Sequence, residues 1–350
     1  MSKLKISVIG VGLGGKIHIK GLKSSTEAVL DSIIAPDRSF NHDVARTERV
    51  PLFHTIDECI KKRRPDGIII ASPNQFHFEH AKSCIDNRIP ALLEKPITPS
   101  SDEGLELCEL IQKSGVKILI GHHRAHNPIL KAAGSLIKQG RLGKVVSVMG
   151  SAQFYKPDHY FDDGPWRKGP GGGPILINMI HEVDNLRRLV GEISEVQAIT
   201  SNKTRGFAVE DTAVINFVFQ SGALGSFVLS DTASTARSWE QTSSENPGYP
   251  SYPDEDCYLI SGTVGSLAIP TMRLKYYPDC IAPSWWTPFN EEKVCYYKAD
   301  PIELQLKHFV EVIKNTTDPL VTAKDGYRNL LITEAIKKSV VIRSIVDIPE

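Results

Sequence analysis

One lysine in this sequence is held where it could stabilise charge on a reacting atom. Lys95 lies between Glu94 and Pro96, directly after the apolar run that ends at Leu93. Pro96 fixes its own φ and favours an extended conformation for the lysine, so the ammonium extends from a rigid strand end. If that strand belongs to a nucleotide-binding sheet, its carboxyl end faces the ligand crevice. We therefore predict a catalytic role for Lys95, stabilising negative charge on a substrate oxygen.

A histidine on a predicted helix offers the proton transfer that such chemistry also needs. The glycines 171–173 and a proline precede this helix, which suits a helix start. Polar residues recur on it at spacings of three and four: Asn178, His181, Asp184 and Arg188. This stripe is either the solvent face of a helix or a functional face. Because an imidazole pKa of about 6.5 suits proton transfer near neutral pH, we predict His181 as acid and base. We also predict that Asn178 and Asp184 bind substrate, with Asp184 stabilising the imidazole.

A glycine-rich turn follows the first predicted strand. Around Val11 it consists of Gly10, Gly12, Leu13, Gly14 and Gly15. The first glycine permits a tight turn, the second lets the backbone approach a pyrophosphate, and the last allows close packing of helix and strand. The N–H groups that open the helix would hold the phosphates. The turn predicts a dinucleotide cofactor, NAD or NADP, and the alternative is a purely structural turn.

The end of the second predicted strand bears on which dinucleotide is bound. The sequence there is Ala35-Pro36, followed by Asp37, Arg38 and a serine. A carboxylate at the strand end favours NAD, whereas a small residue with an arginine nearby accommodates the 2′-phosphate of NADP. Because the acid comes late and an arginine follows it, we predict a preference for NADP. The alternative is that Asp37 still reaches the ribose hydroxyls.

Further residues are predicted to contact the cofactor or the substrate. The predicted cofactor contacts, besides the turn, Asp37, Arg38 and Lys95, are Ser72, Pro73, Asn74, His77 and Glu94. The predicted substrate contacts, whose hydrogen-bonding groups suit a polyol, are His123, Arg124, Tyr155, Trp166 and Arg167. Ordinary surface loops could also have these compositions. No metal site is predicted, because nothing near the histidines at 77 and 80 completes a site, and those within 122–126 have no carboxylate or cysteine partner close in sequence.

Elements of two kinds must position these residues. Up to residue 122, short apolar strands alternate with helical segments, which is typical of right-handed crossovers in a parallel, doubly wound sheet. After that, long alternating strands dominate and the helices are segregated, which predicts an α+β domain with one large, mostly antiparallel open sheet. We predict a dinucleotide-binding domain over residues 1–122 and a substrate-binding and oligomerisation domain over residues 123–350. The last helix either stays in the second domain or packs back on the first.

Composition excludes several classes of function. Of the 350 residues, 41 are Lys or Arg and 41 are Asp or Glu, so no net charge attracts nucleic acid or an anionic membrane. No apolar stretch approaches the ~18 residues of a membrane span, and the start lacks a signal-peptide pattern. The six cysteines show no disulfide or metal spacing. We expect a cytoplasmic protein without nucleic-acid or membrane partners, whose open sheet is covered in a homodimer or homotetramer.

Four motifs occur in a characteristic order along the chain. They are Gly10-x-Gly12-x-x-Gly15-x-x-His18, Ser72-Pro73-Asn74-x-x-His77, Glu94-Lys95-Pro96, and Gly172-Gly173 with His181-x-x-Asp184. Together they resemble the glucose–fructose oxidoreductase, inositol dehydrogenase and MocA (Gfo/Idh/MocA) family, and the resemblance covers nearly the whole chain. It implies a Rossmann domain, a C-terminal domain whose open sheet builds dimers or tetramers, and Lys95 and His181 as catalytic residues. The chain departs from the family at Ile177, where an aspartate is often found, and this leaves the substrate-binding role to Asn178.

These observations predict an NAD(P)-dependent dehydrogenase of a sugar or an inositol-like polyol. Hydride would pass between the nicotinamide and a secondary alcohol or ketone carbon, while His181 transfers the hydroxyl proton and Lys95 stabilises the oxygen. One alternative is a non-catalytic dinucleotide-binding sensor of the same fold, against which the presence of both residues argues. Another is a cofactor-retaining enzyme that oxidises one sugar and reduces another.

Overall fold

The chain forms two compact units. The computed structural model describes residues 3–349. The first unit runs to His126 and also contains Ala299–Leu331, whereas the second consists of Asn127–Lys298 and the chain from Ile332 onward. The first segment therefore ends at residue 126 rather than 122. The first unit also takes in a later segment that lies within the second predicted domain.

A six-stranded parallel sheet forms the centre of the first unit. Its strands are β1 (Leu4–Ile9), β2 (Ala28–Ile34), β3 (Leu52–Phe53), β4 (Gly67–Ile70), β5 (Ala91–Glu94) and β6 (Ile118–Gly121). Their order is β3-β2-β1-β4-β5-β6, so the direction of winding reverses between β1 and β4. Ile68, Ile69 and Ile70 are fully buried, as expected for a strand covered on both faces. The predicted doubly wound sheet is confirmed, and its ligand crevice is expected at the carboxyl ends of β1 and β4.

The helices between these strands include one with clear capping chemistry at both ends. They are α1 (Leu13–Ser24), α2 (Ser39–Glu48), α3 (Ile56–Lys62), α4 (His77–Asp86) and α5 (Ser101–Ser114). At the start of α5 the Ser100 hydroxyl accepts a hydrogen bond from the backbone N–H of Glu103, and Gly115 ends the helix with φ +70°. Helix α2 was not predicted, because it buries only Asn41 and Ala45.

A nine-stranded sheet forms the centre of the second unit. Its strands are β7 (Val145–Gln153), β8 (Ile193–Ser201), β9 (Thr212–Phe219), β10 (Leu224–Ser230), β11 (Tyr258–Gly262), β12 (Gly265–Ile269), β13 (Arg273–Tyr276), β14 (Asn290–Lys293) and β15 (Val346–Asp347). The order is β14-β13-β12-β11-β7-β10-β9-β8-β15. Strands β7 and β10 pair in parallel, and the other described pairs are antiparallel. The predicted mostly antiparallel sheet is confirmed.

The helices of the second unit include one unusual turn. They are α6 (Pro128–Lys138), α7 (Asp158–Asp162), a π-helix (Ile175–Met179) that continues directly into α8 (Ile180–Val190), and α9 (Trp239–Thr242). The prediction had one regular helix where the π-helix and α8 lie. Helix α9 forms because Ser238 caps it and the Trp239 ring is fully buried.

Two helices close the chain, α10 (Pro301–Ile313) and α11 (Ala323–Ile342). Asp300 caps α10 by accepting a hydrogen bond from the backbone N–H of Ile302 at 2.8 Å, and Pro301 occupies its first turn. Within residues 3–349, no helix combines the length and the apolar character that crossing a membrane requires.

Candidate active site

The turn between β1 and α1 has the shape that a dinucleotide needs. Gly10 has φ +86°, and a Cβ there would lie 2.6 Å from the carbonyl oxygen of Ala71. A Cβ on Gly15 would overlap the carbonyl oxygen of Gly10, so α1 packs closely against the turn. Gly12 has nothing within 4 Å of that position, which leaves space for a phosphate. These residues fit a dinucleotide, whose phosphates the first N–H groups of α1 would hold.

One cavity of the first unit gathers six of the predicted cofactor contacts. It is lined by Gly14, Ala71, Ser72, Asn74, His77, Glu94 and Lys95. Pro73 lies in the same loop, immediately before a short 3₁₀ helix over Asn74–Phe76. The Lys95–Pro96 peptide bond is cis. The cavity brings the loops after β4 and β5 to the glycine turn, and Lys95 to the side of the sheet where a dinucleotide would bind.

His77 joins two of these loops. It is fully buried, with Nδ1 2.7 Å from the carbonyl oxygen of Pro96 and Nε2 3.0 Å from that of Ser72. Burial lowers the pKa of His77 and outweighs both contacts, so the ring is neutral at pH 7 and donates one of the two hydrogen bonds. In the structure, this predicted cofactor contact links the Ser72 loop to the Lys95–Pro96 turn.

Glu94 anchors the backbone of Lys95. One carboxyl oxygen lies 2.7 Å from Nε2 of His18, and the other accepts a hydrogen bond from the Lys95 N–H at 3.2 Å. Burial acts to raise the pKa of Glu94, but the hydrogen bond with His18 and nearby positive charges outweigh it and lower the pKa to about 2. Those charges are on His18, His123 and Lys95. Lys95 therefore has an ionised carboxylate beside it at neutral pH. The sequence shows His18 only as part of a motif.

The two predicted residues after β2 lie on the surface. Asp37 is exposed, and its Oδ1 lies 2.7 Å from Nε2 of His42. This hydrogen bond, together with the charge of His42, lowers the pKa of Asp37. Arg38 is the N-cap residue of α2 and is also exposed. An adenosine ribose bound to this fold would lie at this strand end.

The short 3₁₀ helix over His123–His126 separates two predicted substrate contacts. Arg124 is buried, whereas His123 is half-buried and close enough to Glu94 for its charge to act on that carboxylate. Beside them, Nε2 of His122 lies 3.2 Å from Nδ2 of Asn329. His123 therefore belongs with the Lys95 cavity, and Arg124 belongs to the interior of the first unit.

In the second unit, the glycine loop sets the start of the helix that carries His181. Gly171 and Gly173 have φ +89° and +82°. The Glu210 carboxylate lies 2.6 Å from the position of a Cβ on Gly173 and accepts a hydrogen bond from the Ile175 N–H at 2.8 Å. Glycine is therefore required at 173 both by the backbone conformation and by this contact. Glu210 caps the π-helix, a role that the sequence did not reveal.

The polar stripe on this helix is not a solvent face. Asn178 and His181 each expose 8% of their surface, and Asp184 exposes 1%. Nε of Arg188 donates a hydrogen bond to Oδ2 of Asp184 at 2.8 Å. The alternative of an ordinary wet helix face is therefore wrong. Asn178 also lies in the π-helix, a distortion that is frequent at functional sites.

A buried lysine in the loop that begins with Tyr155 contacts Asn178. Nζ of Lys156 donates a hydrogen bond to Oδ1 of Asn178 at 2.6 Å, and it lies 5.1 Å from the ring centroid of Tyr160. Burial lowers the pKa of Lys156 to about 8, although the negative charges of Asp231 and Glu240 oppose the shift. The residues in contact are 22 positions apart, which is why spacing on one element could not reveal the pair.

The remaining predicted substrate contacts lie around the same loop. Tyr155 and Trp166 are exposed, and Arg167 is half-buried. The Arg167 guanidinium carbon lies 3.9 Å from the ring centroid of Tyr160, and Nη1 donates a hydrogen bond to the Tyr160 carbonyl oxygen. The Tyr155 ring centroid is 5.2 Å from the Arg205 guanidinium carbon. These side chains provide flat and cationic surfaces next to Lys156.

Each unit thus offers a distinct kind of chemistry. The first holds a phosphate-sized cradle and an ammonium, and the second holds a buried imidazole one helical turn from an amide. In the described part of the chain, no three His, Cys, Asp or Glu side chains are grouped to hold a metal ion. The available groups suit proton transfer and stabilisation of charge on an oxygen.

Comparison with known proteins identifies the family. Residues 4–122 match the oxidoreductase family with an NAD-binding Rossmann fold, and residues 130–268 match the GFO/IDH/MocA C-terminal domain. The scyllo-inositol 2-dehydrogenase (NAD(+)) of Bacillus subtilis is 26% identical over 344 residues, covering 94% of this chain and 91% of that protein. The rhizopine catabolism protein MocA of Rhizobium meliloti is 24% identical, and the match covers 60% of this chain and 65% of that protein, slightly less than two thirds.

A solved structure shares the fold over both units. An oxidoreductase from Agrobacterium radiobacter, solved in complex with NAD+, L-tartaric acid and magnesium, has a TM-score of 0.82 at 17% identity, with 99% of each chain covered. The fold therefore agrees with both family matches. The chain belongs to the Gfo/Idh/MocA family of NAD-binding oxidoreductases.

Proposed function

We propose that the protein is an NAD(P)-dependent dehydrogenase acting on a secondary alcohol or ketone of a sugar or cyclic polyol. The observation that carries this proposal is the cavity in which Lys95 lies with residues of the glycine turn and the Ser72 loop. A dinucleotide sensor needs the turn but has no use for a lysine in the same cavity. The long alignment with a relative named as an inositol dehydrogenase supports a polyol as the substrate class.

In the proposed mechanism, two side chains act on the substrate oxygen. His181 accepts the hydroxyl proton when the alcohol is oxidised and returns it when the ketone is reduced. Lys95 donates a hydrogen bond to the same oxygen and stabilises its developing negative charge. A bound nicotinamide supplies the hydride chemistry. The proposed substrate contacts are Asn178, Asp184, His123, Arg124, Tyr155, Trp166 and Arg167.

Turnover of a panel of sugars and polyols, followed at 340 nm, tests this function. On the best substrate found, we expect His181→Ala to lower kcat by about 10²–10⁴ while cofactor affinity stays within about threefold. The matched control is His159→Ala, because His159 is an exposed histidine of the same unit. Near-normal turnover by His181→Ala would contradict the assignment. A cofactor that survives purification and cycles between two sugars would instead favour a cofactor-retaining enzyme.

We also propose that the enzyme prefers NADP. The Asp37 carboxylate is engaged with His42, and the exposed Arg38 beside it could pair with a 2′-phosphate. Arg38→Ala should lower the ratio of kcat/KM for NADP to that for NAD by about tenfold. Arg46→Ala, at an exposed arginine of the same helix, should leave the ratio unchanged. A wild-type preference for NAD would overturn the proposal.

We propose that another copy of the chain covers the open sheet in a homodimer or homotetramer. Ile199, Val214 and Val228 are neighbours across three strands and so form an apolar row on one face. Ile199 is 74% exposed and Val214 is 45% exposed, which is typical of a surface that binds a partner. Sedimentation should give a dimer or tetramer that Ile199→Asp weakens, and a monomeric wild type would contradict this.

The free cysteines are consistent with a cytoplasmic location, which we also propose.

A further inference from the structure

The contact between Lys156 and Asn178 determines which end of the Asn178 amide is available. A lysine ammonium can only donate hydrogen bonds, so the atom that it contacts at 2.6 Å must be the amide oxygen. Asn178 is therefore left with its NH₂ group to offer. Within residues 3–349, no group accepts a hydrogen bond from that NH₂ group, and 8% of the Asn178 surface remains exposed. Asn178 can accordingly recognise an oxygen that accepts hydrogen bonds.

The charges around this amide favour an anion. Lys156 is 6% exposed, and within residues 3–349 no carboxylate lies within ion-pair distance of its Nζ. Asp231, one of the acids that act on it, is already paired with Arg205 at 2.8 Å. Glu240 and Arg167 are the other charged neighbours of Lys156. The negative charge of Glu240 acts to raise the pKa of Lys156, and the positive charge of Arg167 acts to lower it. A buried ammonium with a neutral partner carries a large desolvation cost, which an incoming carboxylate would relieve.

From these two observations we infer that the substrate is a polyhydroxy acid, whose carboxylate accepts a hydrogen bond from the Asn178 NH₂ group beside the Lys156 ammonium. Lys156 is then a positioning residue, since it orients the amide and supplies the counter-charge. The inference rests on the proposed function in that it names the substrate class of the same reaction. It assigns to one residue, Asn178, the discrimination between an acid and a neutral polyol.

Paired ligands that differ in the carboxylate test the inference directly. The probes are D-gluconate against D-glucitol and D-glucuronate against D-glucose, titrated calorimetrically into the cofactor-loaded protein at pH 7. We expect the wild type to bind at least one acid about tenfold or more tightly than its neutral counterpart. Equal affinities within both pairs, or binding of neither acid, would overturn the inference.

Asn178→Asp is the decisive variant, because an aspartate can pair with Lys156 and preserve the fold. It removes the NH₂ donor and neutralises the ammonium, so affinity for the acid should fall by about tenfold or more and the preference for the acid over its neutral counterpart should disappear. Asn185→Asp cannot serve as a control because Asn185 is fully buried, so the exposed Asn202→Asp is used. Unchanged acid selectivity in Asn178→Asp would overturn the inference.

A pH series adds a measurement that a merely structural lysine would not change. Acid affinity of the wild type should fall as the pH rises through about 8, because Lys156 then loses its charge. Lys156→Arg should keep its affinity across that range, and identical profiles for both proteins would contradict the role of Lys156. Selective acid binding without any turnover would refute the dehydrogenase proposal alone. Turnover of neutral polyols without acid selectivity would refute this inference alone.

Discussion

Lys95 in the first unit and Lys156 in the second have opposite electrostatic surroundings. Beside Lys95 is Glu94, whose pKa of about 2 keeps its carboxylate ionised throughout the neutral range. Lys156 instead contacts the neutral amide of Asn178, and burial lowers its own pKa to about 8. The first lysine has a permanent counter-charge, whereas the second keeps its charge at pH 7 with only modest margin.

This difference separates two uses of a positive charge. Glu94 holds the backbone of Lys95, and a lysine on such a fixed strand end suits stabilisation of a developing charge on one oxygen. A desolvated ammonium without an ionic partner interacts strongly with any anion that reaches it, but only while it is protonated. We therefore assign Lys95 to the chemical step and Lys156 to recognition. Each prediction below tests that division.

Replacing the two lysines in turn should have the largest effect. Lys95→Met should lower kcat by about 10²–10³ with little change in acid affinity, because it removes stabilisation of the reacting oxygen. Lys156→Met should instead weaken acid binding by about tenfold and change kcat less. Steady-state kinetics and calorimetry on both variants measure this, with the exposed Lys144→Met as control. Equal losses of kcat in the two variants would show that the roles are not separate.

The Glu94 carboxylate should contribute to stability in a pH-dependent way. Its pKa is lowered on folding, so its contribution is full above the unfolded value of about 4.3 and is lost as the pH falls toward about 2. Glu94→Gln should lower the free energy of unfolding by about 1–3 kcal/mol at pH 7, and less at pH 3. Urea denaturation at both pH values measures this, and the exposed Glu109→Gln is the control. If Glu94→Gln lowers the free energy of unfolding by the same amount at both pH values, the role of Glu94 as a counter-charge is contradicted.

Lys156 should show a dependence of the same sign at higher pH, with the smallest effect: stability again rises with pH, here because a penalty on the charged form is relieved. Its pKa falls on folding, so the unfolded chain holds the proton more tightly and the folded state is penalised below pH 8. That penalty is relieved between pH 8 and 10. The free energy of unfolding of the wild type should therefore rise relative to Lys156→Met by about 1–2 kcal/mol between pH 7 and 10. A constant difference between the two proteins would mean that the ammonium is not desolvated.

Much of the fold could be predicted because local chemistry determines it. The starts of α5 and α6 follow from local chemistry, since Ser100 and Asn127 cap them, and Gly115 ends α5. Helix α2 and strand β14 are not predicted because neither buries a large apolar side chain. The sequence 290–293, Asn-Glu-Glu-Lys, gains its strand conformation only from pairing with β13.

The site residues show the same limit more sharply. The motifs were sufficient to predict Gly10, Lys95 and His181 as candidates. The side chains that hold them are distant in sequence: His18 meets Glu94 across 76 positions, and Glu210 meets Ile175 across 35. Such contacts are made by the assembled sheet, so neither periodicity nor spacing within one element could reveal them.

The π-helix at 175–179 has a consequence for how this protein could evolve. A π turn holds one more residue than an α turn, so losing one residue there would restore a regular helix instead of breaking it. Because the turn would still make one revolution, the chain on either side could keep its place, and the change would fall on the side chains of 175–179, which include Asn178. Helix α8 itself would persist. A single-codon deletion is therefore a short evolutionary route to a differently shaped substrate pocket on an unchanged scaffold.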